Sequence, residues 1–268
     1  MSACVCAHKL VGVNIAMDLE KLKAQWLAEE NAVFKGWDFS HLEGRWQHDP
    51  LSWDYDKIVR DYKQDDSFLL DMGTGGGEYL LTLGHPYERT FVTEEYPPNV
   101  ELCNAVLAPL GITVKQVFND DRHLPFDDGF FDIIINRHED FDMEEVARIL
   151  KPGGIFITQQ VGGTNGADLC SALVPSFVSQ FPEHTLEKNV QLIESQGLEI
   201  LLQNEEYPVT RFLDVGAVVY YAKVIEWEFP DFSVEKCFPQ LCGLQKRLEE
   251  KGYVETREHR FIIVARKG

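Results

Sequence analysis

No segment of the chain is apolar for long enough to cross a bilayer. The longest uncharged apolar stretch, Val215 to Ala222, ends at Lys223, far short of the roughly 20 residues that a spanning helix needs. The opening MSACVCAHKL carries one lysine and a short mixed segment before Asp18, Glu20 and Lys21, a poor match to a secretory leader. Basic residues are scarce, with 25 lysines and arginines against 44 acidic residues and a formal net charge of −19. A surface of that sign repels phosphate backbones, so neither nucleic acid nor an anionic membrane is an expected partner. No run of lysine or arginine marks a local exception.

The cysteines, at 4, 6, 103, 170, 237 and 242, lack the spacing of a zinc site. Cys4, Cys6 and His8 form no standard ligand set, and no metal is assigned. Cys237 and Cys242 read as helix residues rather than a disulfide, so the expected compartment is the reducing cytoplasm. Internal repeats and low-complexity stretches are missing as well.

What is present is enough for a large core: 268 residues, 44% of them hydrophobic, with five tryptophans. Leu19, Leu22, Trp26 and Leu27 have helical spacing and predict a helix over 17–34. The stretch from Gly36 to Asp54 is aromatic and irregular, and a short helix follows near 54–63. Then strands and helices alternate. SFLLDM, TFVTE, ITVKQVF, FFDIIIN and IFITQQV read as strands, with a turn into a helix after the first. A second helix closes at Gly111, and another is stopped by Pro152 and two glycines. That alternation predicts a parallel sheet with helices on both faces. Beyond Gly162 two or three helices are expected over 166–196, with a sixth strand at LEILLQNEEY. Helices over 212–229 and 233–251 and a last strand at HRFIIVARK follow. No linker is visible, so 1–268 reads as one domain: a helical extension over 1–65, a core over 66–163, helices with a sixth strand and an insertion over 164–258, and a last strand over 259–268.

Leu69 to Glu78 reads LLDMGTGGGE, glycines crowded behind a hydrophobic run. A nucleoside-triphosphate loop needs a lysine after its glycines, and none follows. A dinucleotide loop needs a third glycine where Glu78 stands, and a carboxylate there would oppose a pyrophosphate. The pattern left is D-x-G-x-G-x-G, at Asp71, Gly73, Gly75 and Gly77.

This segment resembles motif I of class I S-adenosylmethionine-dependent methyltransferases. The resemblance continues through Glu94 in TEEYPPN, with Pro97 three residues on, through NDDRHLPFDDGFFDIII, and into LKPGGIFI. It is closest in character to the ubiquinone-biosynthesis-like, broad-specificity members. It implies a Rossmann-like fold: a mostly parallel seven-stranded sheet with helices on both faces, an antiparallel last strand and a helical cap. S-adenosylmethionine is the implied cofactor. Asp71 is then placed toward its amino group, with Gly73, Thr74, Gly75 and Gly77 forming the loop. Glu94 is placed at the ribose hydroxyls, Asp120 and Asp121 near the adenine amino group, and Asn136 at the end of the fourth strand. The chemistry agrees, because the cofactor is a zwitterion on a positive sulfonium without phosphates, which calls for glycines and carboxylates rather than lysines. The plainer readings are that Asp71 caps the loop and that Glu94 is one solvated acid among many.

The family places the methyl acceptor beyond the carboxyl ends of the fourth and fifth strands, here NRHED and TQQVGG. His138 is a candidate general base, its ordinary pKa lying near working pH. Arg137 is a candidate for holding an acceptor carboxylate or phosphate. The structural alternatives are an ion pair of Arg137 with Glu139 or Asp140 and a capping or core hydrogen bond at His138. Methyl transfer to nitrogen or sulfur often needs only in-line positioning, so a base is not required. The aromatic segments 36–55 and 207–235 are expected to wall in a small-molecule acceptor. The alternatives are an rRNA or tRNA methyltransferase, disfavoured by the charge, and a non-catalytic S-adenosylmethionine-binding protein.

Overall fold

The computed structural model describes residues 19–34, 39–118 and 123–268. Cys4, Cys6, His8 and the paired acids Asp120 and Asp121 therefore lie outside the described residues. The strands in chain order are β1 (Trp46–His48), β2 (Leu69–Met72), β3 (Thr90–Glu94), β4 (Thr113–Gln116), β5 (Phe131–Arg137), β6 (Leu150–Val161), β7 (Leu198–Glu206), β8 (Val209–Phe212), β9 (Val254–Arg257) and β10 (Arg260–Lys267). The helices are α1 (19–30), α2 (Tyr55–Tyr62), α3 (Glu78–Thr82), α4 (Pro97–Val106), α5 (Met143–Ile149), α6 (Ala167–Leu173), α7 (Leu186–Ser195), α8 (Val215–Val224) and α9 (Phe238–Lys251). The described residues group into two compact units, one drawn from 50–165, 181–208 and 258–268, the other from 1–49, 166–180 and 209–257.

The first unit is built on a seven-stranded sheet of order β4-β3-β2-β5-β6-β10-β7. β2 pairs in parallel with β3 and β5, and β5 pairs in parallel with β6. β10 alone runs against its neighbours, β6 and β7. This is the mostly parallel sheet with an antiparallel last strand that the resemblance implies. Its central strands are apolar without interruption because both faces are covered. Leu70, Met72, Ile134 and Phe156 join one cluster, while Leu69, Ile133, Ile135 and Ile157 join another. Alternate residues of a strand point to opposite faces, which is what separates the two sets. Truncating any one of these isoleucines to alanine should cost about 2–5 kcal/mol.

Two helices of this unit begin on acids that the sequence supplies at the right place. Asp54 caps α2 by accepting from the Lys57 N–H, and Asp142 caps α5 by accepting from the Glu144 and Glu145 N–H groups, each cap worth about 1 kcal/mol. The helix expected to be stopped by Pro152 and its glycines ends earlier, at Ile149, and the strand expected from Ile155 starts at Leu150. β6 runs through the proline and glycines, and the register jumps so that Leu150 faces Phe131 while Ile155 faces Ile133. The irregularity absorbs residues that a regular ladder would reject, since proline donates no hydrogen bond.

The second unit carries a three-stranded antiparallel sheet of order β1-β8-β9. The reading of this material as helices and an irregular aromatic stretch, with no strand, was therefore incomplete. Residues 209–212, which reach the first residue of the helix expected over 212–229, pair on both sides, with Phe212 opposite Trp46 and Val254. The helix itself is shorter than expected, α8 starting at Val215 behind the Asp214 cap. α9 likewise starts at Phe238 rather than near 233. Apart from Tyr221, Lys223 and Val224, every residue of α8 is buried, and it packs with Trp26, Leu42, Phe212 and Phe229 in one cluster.

Candidate functional site

Parallel pairing brings the carboxyl ends of β2, β3, β5 and β6 to one edge of the sheet. Asp71 stands beside Val92 and Ile135, Met72 beside Asn136, and Asn136 beside Thr158. The glycine loop leaves β2 at this edge. Gly73, Gly75 and Gly77 have φ of 67°, 64° and 82°, a left-handed conformation that glycine adopts without steric penalty. The loop is tied down by Gly73 and Thr74 N–H groups donating to the Thr93 carbonyl (3.1 and 3.2 Å) and by Gly77 N–H donating to the Thr74 carbonyl (3.1 Å). Cys103 Sγ donates to the Gly75 carbonyl (3.1 Å). Burial pushes that thiol up to about 12, with the nearby Glu94 carboxylate adding to the effect, so it is a buried tether and not a nucleophile.

Three carboxylates face this loop. Asp71 is 6% exposed and accepts from Thr74 Oγ1 (2.7 Å). Burial drives its carboxyl up to about 7, the Glu94 charge adds to this, and Thr74 and Arg137 oppose it. Glu94, also 6% exposed, accepts from Gly75 N–H through Oε2 (2.8 Å) and from Glu95 and Tyr96 N–H through Oε1 (3.1 Å each). A carboxylate offers about four acceptor positions, so Glu94 organises the loop with three and has little capacity left. The third is Glu139, whose side chain lies directly on Gly73. A Cβ on Gly73 would fall 2.4 Å from Glu139 Cγ and 2.6 Å from its Cβ. Burial, with the charges of Glu94, Glu95 and Asp140, pushes the Glu139 carboxyl to about 7.

The floor of the edge is polar and buried. Asn136, with no exposed surface, accepts at Oδ1 from Thr158 Oγ1 (3.1 Å) and Gln160 Nε2 (2.7 Å). Its Nδ2 has no partner, and neither has the buried Tyr79 Oη. Arg137 makes neither ion pair expected of it. Its guanidinium lies 4.5 Å from the Tyr79 ring centroid and 5.8 Å from that of Tyr55, a cation–π placement.

His138 departs from expectation too. Its φ is 64°, held by its N–H donating to the Gln159 carbonyl (2.8 Å). Trp53 Nε1 donates to Gln159 Oε1 (2.7 Å), which leaves the Gln159 amide to donate to His138 Nε2 (3.1 Å). Nε2 is then an acceptor and the ring is neutral with its proton on Nδ1. The residue keeps solvent-open surface, yet protein crowds round it. That crowding, with Arg260 and Arg137 beside it, pushes its pKa down to about 3. An imidazole titrating near working pH is not what this position provides.

The sequence-predicted residues Asp71, Gly73, Thr74, Gly75, Gly77, Glu94 and Asn136 thus converge on one edge, with Arg137 and His138 beside them. Glu139, Tyr79, Cys103 and Gln160 were missed as site residues. The legible signal for Glu139 was its position just beyond the fourth predicted strand, at the edge where the loop lies. Among the described residues no cluster of three histidine, cysteine or acidic side chains is arranged to hold a metal ion.

Residues 70–158 match the family described as a methyltransferase domain. The sterol 4-C-methyltransferase strm-1 of Caenorhabditis elegans is 32% identical over 108 residues, a match that spans 37% of this chain and only 32% of that protein. A candidate methyltransferase of Bacillus halodurans superposes with a TM-score of 0.52 at 15% identity, over 80% of this chain and 98% of that one. The YcgJ protein of Bacillus subtilis gives 0.53 at 17% identity, over 80% and 97%. The match to that family thus covers about a third of the chain, and the sheet that carries those residues has the Rossmann-like class I fold of the solved structures.

Proposed function

We propose that the protein is an S-adenosylmethionine-dependent methyltransferase acting on a small molecule. One observation carries this reading: a loop of left-handed glycines faced by three carboxylates, with no cation hydrogen-bonded to any of them among the described residues. The site also leaves two buried polar atoms, Asn136 Nδ2 and Tyr79 Oη, without partners. Buried polar groups are rarely left unpaired, and a bound ligand or a water would complete these two. S-adenosylmethionine, when bound, supplies an electrophilic methyl group on a positive sulfur.

The chain's own residues then divide the work of binding. Asp71 and Arg137 suit the amino and carboxylate groups of an amino-acid moiety, one anionic and one cationic. Glu94 fixes the loop and keeps an acceptor position for a ribose hydroxyl. Gly73, Thr74, Gly75 and Gly77 allow close backbone approach, and Asp120 and Asp121 are the proposed adenine contacts. His138, neutral and hydrogen-bonded, positions the turn instead of drawing a proton, so the acceptor is activated by alignment and desolvation.

For the acceptor, the net charge of −19 favours a small molecule over RNA. The sterol specificity named for the nematode relative makes apolar ring systems a first class to screen. The motifs NDDRHLPF and LKPGG support placement in the broad-specificity, ubiquinone-biosynthesis-like branch. The free thiols Cys103, Cys170, Cys237 and Cys242 fit a reducing cytosol. Thermal shift tests the cofactor: S-adenosylmethionine or S-adenosylhomocysteine at 100 times its dissociation constant should add about 2.7 kcal/mol. Stabilisation by NAD or ATP alone would reject the reading.

A further inference from the structure

We infer that Glu139 is the residue by which this protein distinguishes a positively charged cofactor from its neutral product. The inference rests on the methyltransferase reading and adds to it a residue that discriminates charge.

The placement of Glu139 is enforced from both sides. The left-handed turn at His138 follows the end of β5, and the Glu139 carbonyl accepts from Gln160 Nε2 (3.0 Å). The side chain is thereby laid across Gly73, in the space that any larger residue at 73 would fill. A non-glycine residue with positive φ is an uncommon, strained conformation, and here it aims a carboxylate at the loop.

The three carboxylates are not equivalent. Asp71 has the Thr74 hydroxyl, and Glu94 has three backbone N–H groups. The Glu139 carboxylate has no hydrogen-bond donor and no ion-pair partner among the described residues. The charged groups that act on it are Glu94 and Glu95 at the end of β3 and Asp140 next along its own chain, all acidic. Arg137 is engaged with the two tyrosine rings. A carboxylate half-buried among like charges is unfavourable by itself, and burial together with those charges pushes its pKa up. A ligand with a positive centre relieves the repulsion, and a neutral one does not. S-adenosylmethionine and S-adenosylhomocysteine share their amino-acid and nucleoside groups and differ by one methyl and one positive charge on sulfur. The unengaged carboxylate is the group suited to read that difference, and in doing so it favours loss of the product.

Isothermal titration calorimetry at pH 8, with Glu139 largely ionised, tests this without an acceptor. The ligands are S-adenosylmethionine, S-adenosylhomocysteine and sinefungin, an amine analogue that keeps a positive charge. Wild-type protein should prefer the two cationic ligands. Glu139→Gln should weaken both by on the order of tenfold and change S-adenosylhomocysteine by less than about twofold, a partly screened charge pair being worth that much. Asp140→Asn, next along the chain, should alter the preference far less. Equal weakening of all three ligands, or no change in the preference, would overturn the inference and leave the methyltransferase reading standing. Wild-type protein that binds none of the three would overturn that reading and the inference with it. Thermal melts establish that each variant is folded, and Glu139→Gln should melt no lower than wild type.

Discussion

Glu29 and Asp214, in the unit that holds α8, converge on a single guanidinium: Arg45 Nη2 lies 2.8 Å from Glu29 Oε1 and 2.7 Å from Asp214 Oδ1. His41 adds a contact to Glu29 (2.8 Å). Burial would raise both carboxyls, but the hydrogen bonds and charge of Arg45 outweigh it and hold them below the usual range. Asp71 and Glu139, in the sheet unit, are buried to a similar or greater degree, and no guanidinium bonds to them. They sit near 7 instead. The first cluster is complete without a ligand, since its charge balance is internal. The second has no such cation hydrogen-bonded to it among the described residues, and the proposed cofactor is what would supply one. Composition alone cannot separate them; the presence or absence of a resident cation does.

The sharpest way to break this comparison is to remove the cation from the complete site. Arg45→Met should lower stability by about 2–3 kcal/mol in urea unfolding, somewhat below the cost for a fully buried pair because Asp214 is partly exposed. A loss under about 0.5 kcal/mol would put the pair among ordinary surface contacts and dissolve the contrast. On the other side, Glu94→Ala should weaken S-adenosylmethionine by about 1.5–3 kcal/mol in calorimetry, since it frees Gly75 N–H as well as a ligand acceptor. Glu95→Ala should cost much less, and a reversed order would show that the ribose acid is the other glutamate.

The pH dependence follows from the raised carboxyls. Because the folded pKa values lie above the ordinary 3.8 and 4.5, their contribution to stability is complete below about pH 4 and is lost as pH rises through about 7. A cationic ligand prefers the ionised forms. S-adenosylmethionine affinity should therefore rise on the order of tenfold from pH 6 to pH 8, with proton release on binding at pH 6.5. An affinity flat across that range would mean that neither carboxyl titrates there. The smallest effect expected is on stability: Asp71→Asn should raise that of the unliganded protein by about 1 kcal/mol at pH 8 while weakening the cofactor, so that melting temperature and affinity move in opposite directions.

Much of the sheet was legible because strands buried on both faces leave unbroken apolar runs, as in LLDM and FFDIII. The glycine loop was legible because left-handed backbone and close approach restrict the residues allowed. Glu139 was not, because only the turn at His138, fixed by long-range bonds to Gln159, brings it onto Gly73. The lowered pKa of the histidine was hidden for the same reason: it is set by crowding and then by the charges of Arg260, far along the chain, and Arg137. The sheet β1-β8-β9 escaped notice because three or four residues are too few to display a period of two. At the start of β6, the proline and glycines read as a helix stop, while the ladder with β5 takes them into the strand.

The antiparallel position of β10 has a consequence for the order of events during synthesis. β7 pairs with no strand of the large sheet except β10, and β10 is made only after all of 209–257. While that stretch emerges from the ribosome, β7 has both edges unpaired, although β2 to β6 can already be assembled. An unpaired strand is a template for adventitious pairing. The newborn chain is therefore most in need of chaperone protection in that interval, and a stall between β7 and β10 would strand it at its most aggregation-prone.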